Sequence, residues 1–171
     1  MTPERARLLG ELLTELAADP SGFIPDEAWL PAQQAFALPY IEMAIVRRDA
    51  NGKVQILLTY RDDKDWTGWH VPGGLWRTKQ TVDECLAALA RQELGADVQV
   101  IFLDKGEWEK WHNHPEGNAI SHVAICRGEN IVETATVQWF DGVPEGMIDD
   151  HGHHAGFIGG VLRQVEEKKL V

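Results

Sequence analysis

The sequence predicts an α+β fold in which helices and a mixed β-sheet form a sandwich. Apolar runs typical of strands and amphipathic runs typical of helices follow each other in the order strands, helix, strands, helix. The length of 171 residues favours a single domain with its own core. We expect residues 1–35 to form a helix and a connector, and residues 36–171 to form the folded domain.

The first half of the chain divides into a helix, a connector and a hairpin. Leucines recur at helical spacing through residues 3–18, and DPSG ends that helix. Residues 20–37 are mixed and contain proline, so we interpret them as a connector. The runs YIEMAIVRR (40–48) and KVQILLTYR (53–61) flank DANG, which predicts a β-hairpin. GWHVPGG (68–74) indicates a short strand that enters a turn.

The second half contains the clearest helix of the chain, over residues 81–94. Thr81 and Glu84 have the spacing of a capping box, and Gly95 supplies a stop. Three further strands are predicted, in DVQVIFLDKGEW (97–108), AISHVAICR (119–127) and ATVQWF (135–140). A closing helix is predicted over residues 156–170.

Composition and charge exclude several classes of function. The formal net charge is −11, from 16 Lys and Arg against 27 Asp and Glu, and such a surface repels nucleic acid. An acidic protein that handles phosphates needs a cation to screen them. We expect no membrane partner and a cytoplasmic location, because no apolar run approaches the roughly 20 residues of a membrane span and residues 1–20 lack a signal-peptide layout. Cys85 and Cys126 are expected to be reduced, buried thiols.

One acidic residue on the predicted helix 81–94 requires an explanation. On a helical wheel with Val82 at zero, Glu93 falls at about 20°, in the middle of the apolar stripe. An unpaired carboxylate there is costly, and the negative end of the helix dipole makes it more so. An arginine from a neighbouring strand, escape of the side chain to solvent, or a divalent cation held with the Gly73–Gly74 carbonyls would each resolve the cost.

The segment GGLWRTKQTVDECLAALARQELG (73–95) resembles the Nudix box of the Nudix hydrolases. Gly74 and Gly95 lie at the family spacing, and the strand ending in VPGG precedes the helix as in that family. The resemblance implies a Nudix-like α/β/α sandwich around a mixed sheet. The acidic positions of the box differ, because its first three glutamates fall on Gln80, Leu89 and Gln92, and only Glu93 remains.

A similarly reduced box is found in the GDP-mannose mannosyl hydrolase branch of that family. The resemblance to this branch implies a single Mg²⁺ or Mn²⁺ ion held by the Gly73 carbonyl, Glu93 and an acid on an early strand, for which Glu42 is the nearest match. It also implies that Arg61 contacts a diphosphate. The alternative for Glu42 is a side chain that points to solvent. Leu75 and Ala88 stand where that branch has arginines.

The remaining candidates bind the substrate or move a proton. Arg77 can add a charge-assisted hydrogen bond to phosphate, and Trp76 is one of several tryptophans near the glycine pair that can stack on a base or sugar. A general base must come from outside the box. Glu133, in IVETATVQW, and His151, in DDHGHH (149–154), are the candidates. The alternative for DDHGHH is a solvated loop ahead of the last helix.

The sequence supports two main hypotheses of function. The first is a metal-dependent hydrolase of a small nucleoside diphosphate linked to a sugar or similar group, with a one-metal mechanism. The second is a Nudix-fold protein that binds or senses a nucleotide without catalysis. A weaker third is a pyrophosphohydrolase in which Glu133 or Asp149 replaces the lost acids. The N-terminal helix is expected either to pack on the sheet or to mediate a homodimer.

Overall fold

The computed structural model describes residues 1–63, 66–77, 79–103, 109–110, 118–148 and 153–171. Four helices lie in these residues: α1 (Pro3–Ala18), α2 (Asp26–Ala35), α3 (Val82–Leu94) and α4 (His153–Lys168). They also contain eight strands: β1 (Ala37–Arg48), β2 (Val54–Asp62), β3 (Thr67–His70), β4 (Gly73–Leu75), β5 (Val98–Leu103), β6 (Glu109–Lys110), β7 (Asn118–Gly128) and β8 (Val137–Phe140). Among the described helices, none combines the length and the apolar character that crossing a membrane requires.

The strands form one mixed sheet, which confirms the predicted fold class. Its main order is β3–β2–β1–β7–β5, while β4 pairs with β1, β6 with β7 and β8 with β2. The pairing of β1 with β7 is parallel and the others are antiparallel. The predicted hairpin is confirmed, because β1 and β2 pair antiparallel on either side of the DANG turn.

Helices cover both faces of the sheet, so the layers are α/β/α. Along β1, alternate residues face opposite sides. Ala44 and Val46 belong to a buried cluster that includes Ile158, Val161 and Val165 of α4. The residues Ile41, Met43 and Ile45 belong to a second cluster with Cys85, Leu86 and Ala90 of α3. Both cysteines are free and buried, as predicted.

Two expectations about local structure were wrong. Part of the predicted connector is the helix α2, which follows Pro25 and contains Pro31. It has no side-chain cap, and its one buried residue, Gln33, is polar, so a capping residue and a buried apolar stripe were both missing as sequence signals. The Gly73–Gly74 segment, expected to be a turn, is part of the short strand β4.

Helix α3 begins and ends as the sequence predicts. The Thr81 hydroxyl accepts a hydrogen bond from the Glu84 amide at 3.2 Å, and the Glu84 carboxylate accepts one from the Thr81 amide at 2.8 Å. Gly95 adopts φ of 60°, and its N–H donates to the Arg91 carbonyl. These two ends fix where Glu93 lies, in the last turn of the helix.

Loss of the α3 cap is expected to destabilise the whole domain. Thr81→Ala should lower the free energy of unfolding by about 1 kcal/mol and the Tm by about 3 °C, because α3 carries one of the two core clusters. Thr2→Ala is the matched control, since Thr2 caps α1, which has no buried residue and can unravel by itself. Chemical denaturation of both variants tests this, and equal losses in the two would contradict it.

Candidate functional site

The candidate site is built around Gly73, where the short strand β4 lies beside β1. Gly73 and Glu42 are directly opposite each other in this antiparallel pair. A Cβ atom on Gly73 would collide with Oε2 of Glu42 and would lie 2.6 Å from the carbonyl oxygen of Ile41. The absence of a side chain at Gly73 therefore lets the Glu42 carboxylate lean over the glycine backbone.

A hydrogen bond from β7, the neighbouring strand in the sheet, holds the Glu42 carboxylate. Oγ of Ser121 donates to Oε1 of Glu42 at 3.0 Å. Ser121 lies on β7, opposite Tyr40 in the parallel pair, so its side chain is beside that of Glu42. Sequence reasoning did not single out Ser121, because only the long-range β1–β7 pairing places it there. The Glu42 side chain therefore points towards Gly73 rather than to solvent, and it is partly buried.

Glu93 reaches the same glycine from the end of α3. The pKa of Glu93 is raised from 4.5 to about 7, first by burial and then by the negative charge of Glu42. The Gly73 N–H, which donates a hydrogen bond to Glu93, and the charge of Arg61 oppose this rise. Two carboxylates therefore converge on one glycine. The positive charge near them is too small to hold the pKa of Glu93 at its usual value.

Arg61 lies close enough to Glu93 to oppose the rise of its pKa, but it forms no ion pair with it. It is on β2, and its guanidinium forms an ion pair with Asp63, with Nη2 and Oδ2 separated by 2.6 Å. Its side chain is 45% exposed. Among the described residues Glu93 forms no ion pair with any arginine. The arginine explanation for the buried acid is therefore not the one the structure shows, and Arg61 remains accessible to an anion.

Trp76 and Arg77 follow β4 and are both half-buried. The Trp76 indole N–H donates to the Gln80 carbonyl at 2.9 Å, and its ring packs against the α3 cluster. The Arg77 guanidinium donates to the Ser21 carbonyl at 3.4 Å and lies 5.8 Å from the Phe23 ring centre. Both residues thus support the loop before α3 and its contact with the N-terminal segment. Their roles in substrate binding stay predictions.

Of the two candidate bases, the described structure places Glu133 away from Gly73. Glu133 forms an ion pair with Arg47 at 3.2 Å and is half-exposed. Arg47 lies five residues beyond Glu42 on β1, about 16 Å along the strand. His151 lies outside the described residues. The residue Ile148, just before that segment, hydrogen-bonds to Trp69 of β3. The roles of Glu133 and His151 stay predictions.

A histidine that the sequence reasoning passed over supports the approach to Gly73. His70 donates from Nδ1 to the Val71 carbonyl at 2.8 Å, so its Nε2 accepts from the Thr59 hydroxyl at 3.0 Å when the ring is neutral. Thr59 is two residues before Arg61 on the same strand. This bridge connects the strand that carries Arg61 to the segment leading into Gly73. WHVPGG alone did not indicate it, because the Thr59 partner lies on another strand.

Leu89 and Gln92 add no carboxylate to the site. Leu89 packs against Gly74, where an added Cβ would lie 2.7 Å from Leu89 Cδ2, and Gln92 is exposed. Within the described residues no group of three His, Cys, Asp or Glu side chains could hold a metal ion. Any cation here would rely on Glu42, Glu93 and backbone oxygen. Oxygen donors of that kind suit Mg²⁺ and Mn²⁺.

Comparison with protein families assigns this chain to one of them. A family model described as the NUDIX domain matches residues 38–142. No match was found among curated proteins. A solved structure of a UDP-X diphosphatase is 19% identical, with 97% of this chain and 82% of that chain covered and a TM-score of 0.58.

Two further solved structures show the same fold. An ADP-ribose pyrophosphatase from Streptococcus suis is 22% identical, with 75% of this chain and 92% of that chain covered and a TM-score of 0.50. A bifunctional NMN adenylyltransferase/ADP ribose pyrophosphatase from Francisella tularensis, in complex with AMP and a manganese ion, is 16% identical. There the coverage is 81% of this chain and 44% of that chain, and the TM-score is 0.56. At these identities the likeness establishes the fold.

Proposed function

Because this chain belongs to the Nudix family, we propose that it is a hydrolase of a nucleoside diphosphate linked to a sugar or similar group, dependent on a single Mg²⁺ or Mn²⁺ ion. The convergence of Glu42 and Glu93 on Gly73 carries this proposal. A carboxylate whose ionisation is opposed by a second carboxylate nearby is suited to bind a group of opposite charge. An acidic chain of net charge −11 also needs such a group to approach a diphosphate.

The donor set fits a hard divalent cation. Glu42, Glu93 and the Gly73 backbone would hold it, and when bound it would neutralise charge on the diphosphate and on the leaving group. Ser121 keeps one Glu42 oxygen in a fixed position, which supports the orientation of the other. The Gly73 N–H does the same for Glu93.

Arg61 is the residue we propose for contact with the diphosphate. Its guanidinium is accessible, and a phosphate can replace or share its present Asp63 partner. The UDP-X and ADP-ribose names of the structural neighbours support a substrate of the nucleoside diphosphate class. The reduced box favours attack on the sugar C1, with a nucleoside diphosphate as leaving group, over attack on phosphorus.

A panel of nucleoside diphosphate compounds tests this function. GDP-mannose, UDP-glucose and ADP-ribose should each be incubated with the full chain and Mg²⁺ or Mn²⁺, with release of free sugar and of phosphorylated products both measured. We expect metal-dependent hydrolysis of at least one compound. Reaction of GDP-mannose or UDP-glucose in ¹⁸O-water separates the routes, because C1 attack labels the sugar and phosphorus attack labels a phosphate. Turnover that persists in excess chelator would contradict the metal requirement.

One observation favours a second function, nucleotide binding without catalysis. The described residues offer only two carboxylates at the site, and Leu89 and Gln92 occupy positions that are acidic in the family's box. A protein that binds a nucleoside diphosphate compound tightly, yet turns over none of the panel with either metal, would have this function. Calorimetric titration of the same compounds separates it from the hydrolase.

A further inference from the structure

Buried polar side chains gather at the end of the sheet that contains Gly73. Among the described residues, four polar side chains are buried: Gln33, Thr59, Ser121 and His122. Ser121 holds Glu42, and Thr59 bonds to His70 in the segment that leads to Gly73. Buried polar groups cost free energy unless they form hydrogen bonds, so a group of them in one place indicates a polar ligand there. Gln33 is one member of this group that the proposed metal and diphosphate contacts leave without a role.

Gln33 connects helix α2 to strand β1 through Tyr40. The Tyr40 hydroxyl donates a hydrogen bond to Oε1 of Gln33 at 3.2 Å. Gln33 is 1% exposed and is the one buried residue of α2, whereas α3 buries the apolar side chains of Cys85, Leu86 and Ala90. Apolar packing would hold α2 on the sheet equally well, because replacing a hydrogen-bonded pair by apolar groups of the same shape is nearly neutral for stability. Packing alone therefore does not explain a glutamine at this position.

Tyr40 lies beside the proposed metal ligand Glu42. Residues two apart in a strand point to the same face and are about 7 Å apart along it. Tyr40 is also opposite Ser121 in the parallel β1–β7 pair, and it is only partly buried. A phenol hydroxyl both donates and accepts hydrogen bonds, so it can accept a bond from a ligand hydroxyl while it donates to Gln33.

We propose that Tyr40 contacts a hydroxyl of the sugar, or similar hydroxyl-bearing group, attached to the nucleoside diphosphate, and that Gln33 is the positioning residue for the Tyr40 hydroxyl. The inference rests on the proposed function, because a diphosphate held at Glu42 and Glu93 would lie next to Tyr40. Gln33 precedes the residues 38–142 that the family model matches, so the positioning contact comes from outside the matched domain.

The chemistry of the group explains why a polar pair suits it. Each sugar hydroxyl loses water when it is bound and needs a hydrogen-bond partner in the protein. A site that bonds to substrate hydroxyls discriminates against a compound that lacks them, because the polar groups of the site are then left unpaired. The pair should therefore affect binding of the sugar and leave binding of the nucleoside diphosphate unchanged.

Affinities for matched compounds with and without the sugar test the proposal. GDP-mannose is compared with GDP, and UDP-glucose with UDP, in the presence of Mg²⁺. The affinity is measured as KM for a compound that is hydrolysed, as the inhibition constant for its nucleoside diphosphate, and as Kd where nothing is hydrolysed. Tyr40→Phe should weaken binding of the sugar-bearing compound by about tenfold and that of the nucleoside diphosphate by about twofold at most. Mn²⁺ affinity should not change.

Tyr60→Phe is the matched control for this change. Tyr60 is the other tyrosine of the chain, and the variant likewise loses one phenol hydroxyl. It should bind both members of each pair like the wild type. Circular dichroism and urea denaturation check that every variant is folded under the conditions of the assay.

A double-mutant cycle tests the role of Gln33. Gln33→Leu keeps the approximate size of the side chain and removes the amide that accepts the Tyr40 hydroxyl. We expect it to weaken binding of the sugar-bearing compound by about fivefold. The combination with Tyr40→Phe should be no weaker than Tyr40→Phe alone, because both changes act on one contact. Additive losses would overturn the positioning role of Gln33.

The remaining outcomes separate this inference from the proposed function. If Tyr40→Phe weakens both members of a pair equally, or neither, while the wild type binds them, the sugar contact is overturned and the proposed function stands. If the wild type binds no member of any pair, the proposed function is contradicted and the sugar contact is overturned with it.

Discussion

Glu93→Gln is expected to abolish metal-dependent turnover while leaving the fold intact. The variant should lose at least about 10³-fold in kcat/KM on whichever compound the wild type hydrolyses, because it removes one of the two carboxylates that converge on Gly73. Glutamine keeps the shape of the side chain and can still accept the Gly73 N–H bond. The loss therefore reports on charge rather than on packing.

A direct measurement of metal binding separates this role from a structural one. Mn²⁺ titration followed by electron paramagnetic resonance should show tight binding in the wild type and at least about tenfold weaker binding in Glu93→Gln. Glu42→Gln should weaken binding as well. Glu167→Gln, an exposed glutamate on α4, is the matched control and should behave like the wild type. Unchanged Mn²⁺ affinity in Glu93→Gln would remove the basis of the one-metal proposal, whichever compounds are hydrolysed.

Much of the fold followed from local signals in the sequence. Helix α3 was predicted almost to the residue, because its capping box, apolar stripe and stop glycine all lie within one short segment. The β1–β2 hairpin was predicted for the same reason, with a polar turn between two apolar runs. Helix α2 was missed because it lacks a side-chain cap, contains Pro31, and packs against β1 and the distant strand β7.

The candidate site was only partly predictable because long-range pairing assembles it. Strand β1 is buried on both faces around Ile41, Met43 and Ala44, so its sequence has no alternation that would show which way Glu42 points. Ser121 is adjacent to Glu42 only through a parallel pair of strands about 80 residues apart in the chain. Gly73 and Glu93, by contrast, belong to one continuous segment, and the family spacing identified both.

The raised pKa of Glu93 leads to a second large expected effect. It lowers the free energy of unfolding of the metal-free protein as the pH rises. The folded-state pKa of Glu93 is about 7, whereas the unperturbed value is 4.5. Below pH 4.5 the Glu93 carboxyl is protonated in both the folded and the unfolded chain, and its contribution to folding stability is fully present. As the pH rises to 7, the unfolded chain releases the proton and the folded chain retains it, so stability falls.

This fall is expected to disappear in Glu93→Gln. In excess chelator the variant should be more stable than the wild type by about 3 kcal/mol at pH 8, and the difference should close as the pH falls to 4.5. Urea denaturation at a series of pH values measures this. The Glu167→Gln control should track the wild type, and a variant that is no more stable than the wild type at pH 8 would show that Glu93 ionises at little cost.

Addition of Mn²⁺ should reverse the order of stability, because the ion binds the ionised carboxylates of the folded wild type and not the unfolded chain. Binding should also release a proton from Glu93 near pH 7, which calorimetry in buffers of different ionisation enthalpy detects. A residue that weakens the metal-free fold and strengthens the metal-bound one is retained for binding rather than for stability. Under the one-metal proposal, the Glu42–Glu93 repulsion that destabilises the metal-free fold also makes the site select a cation.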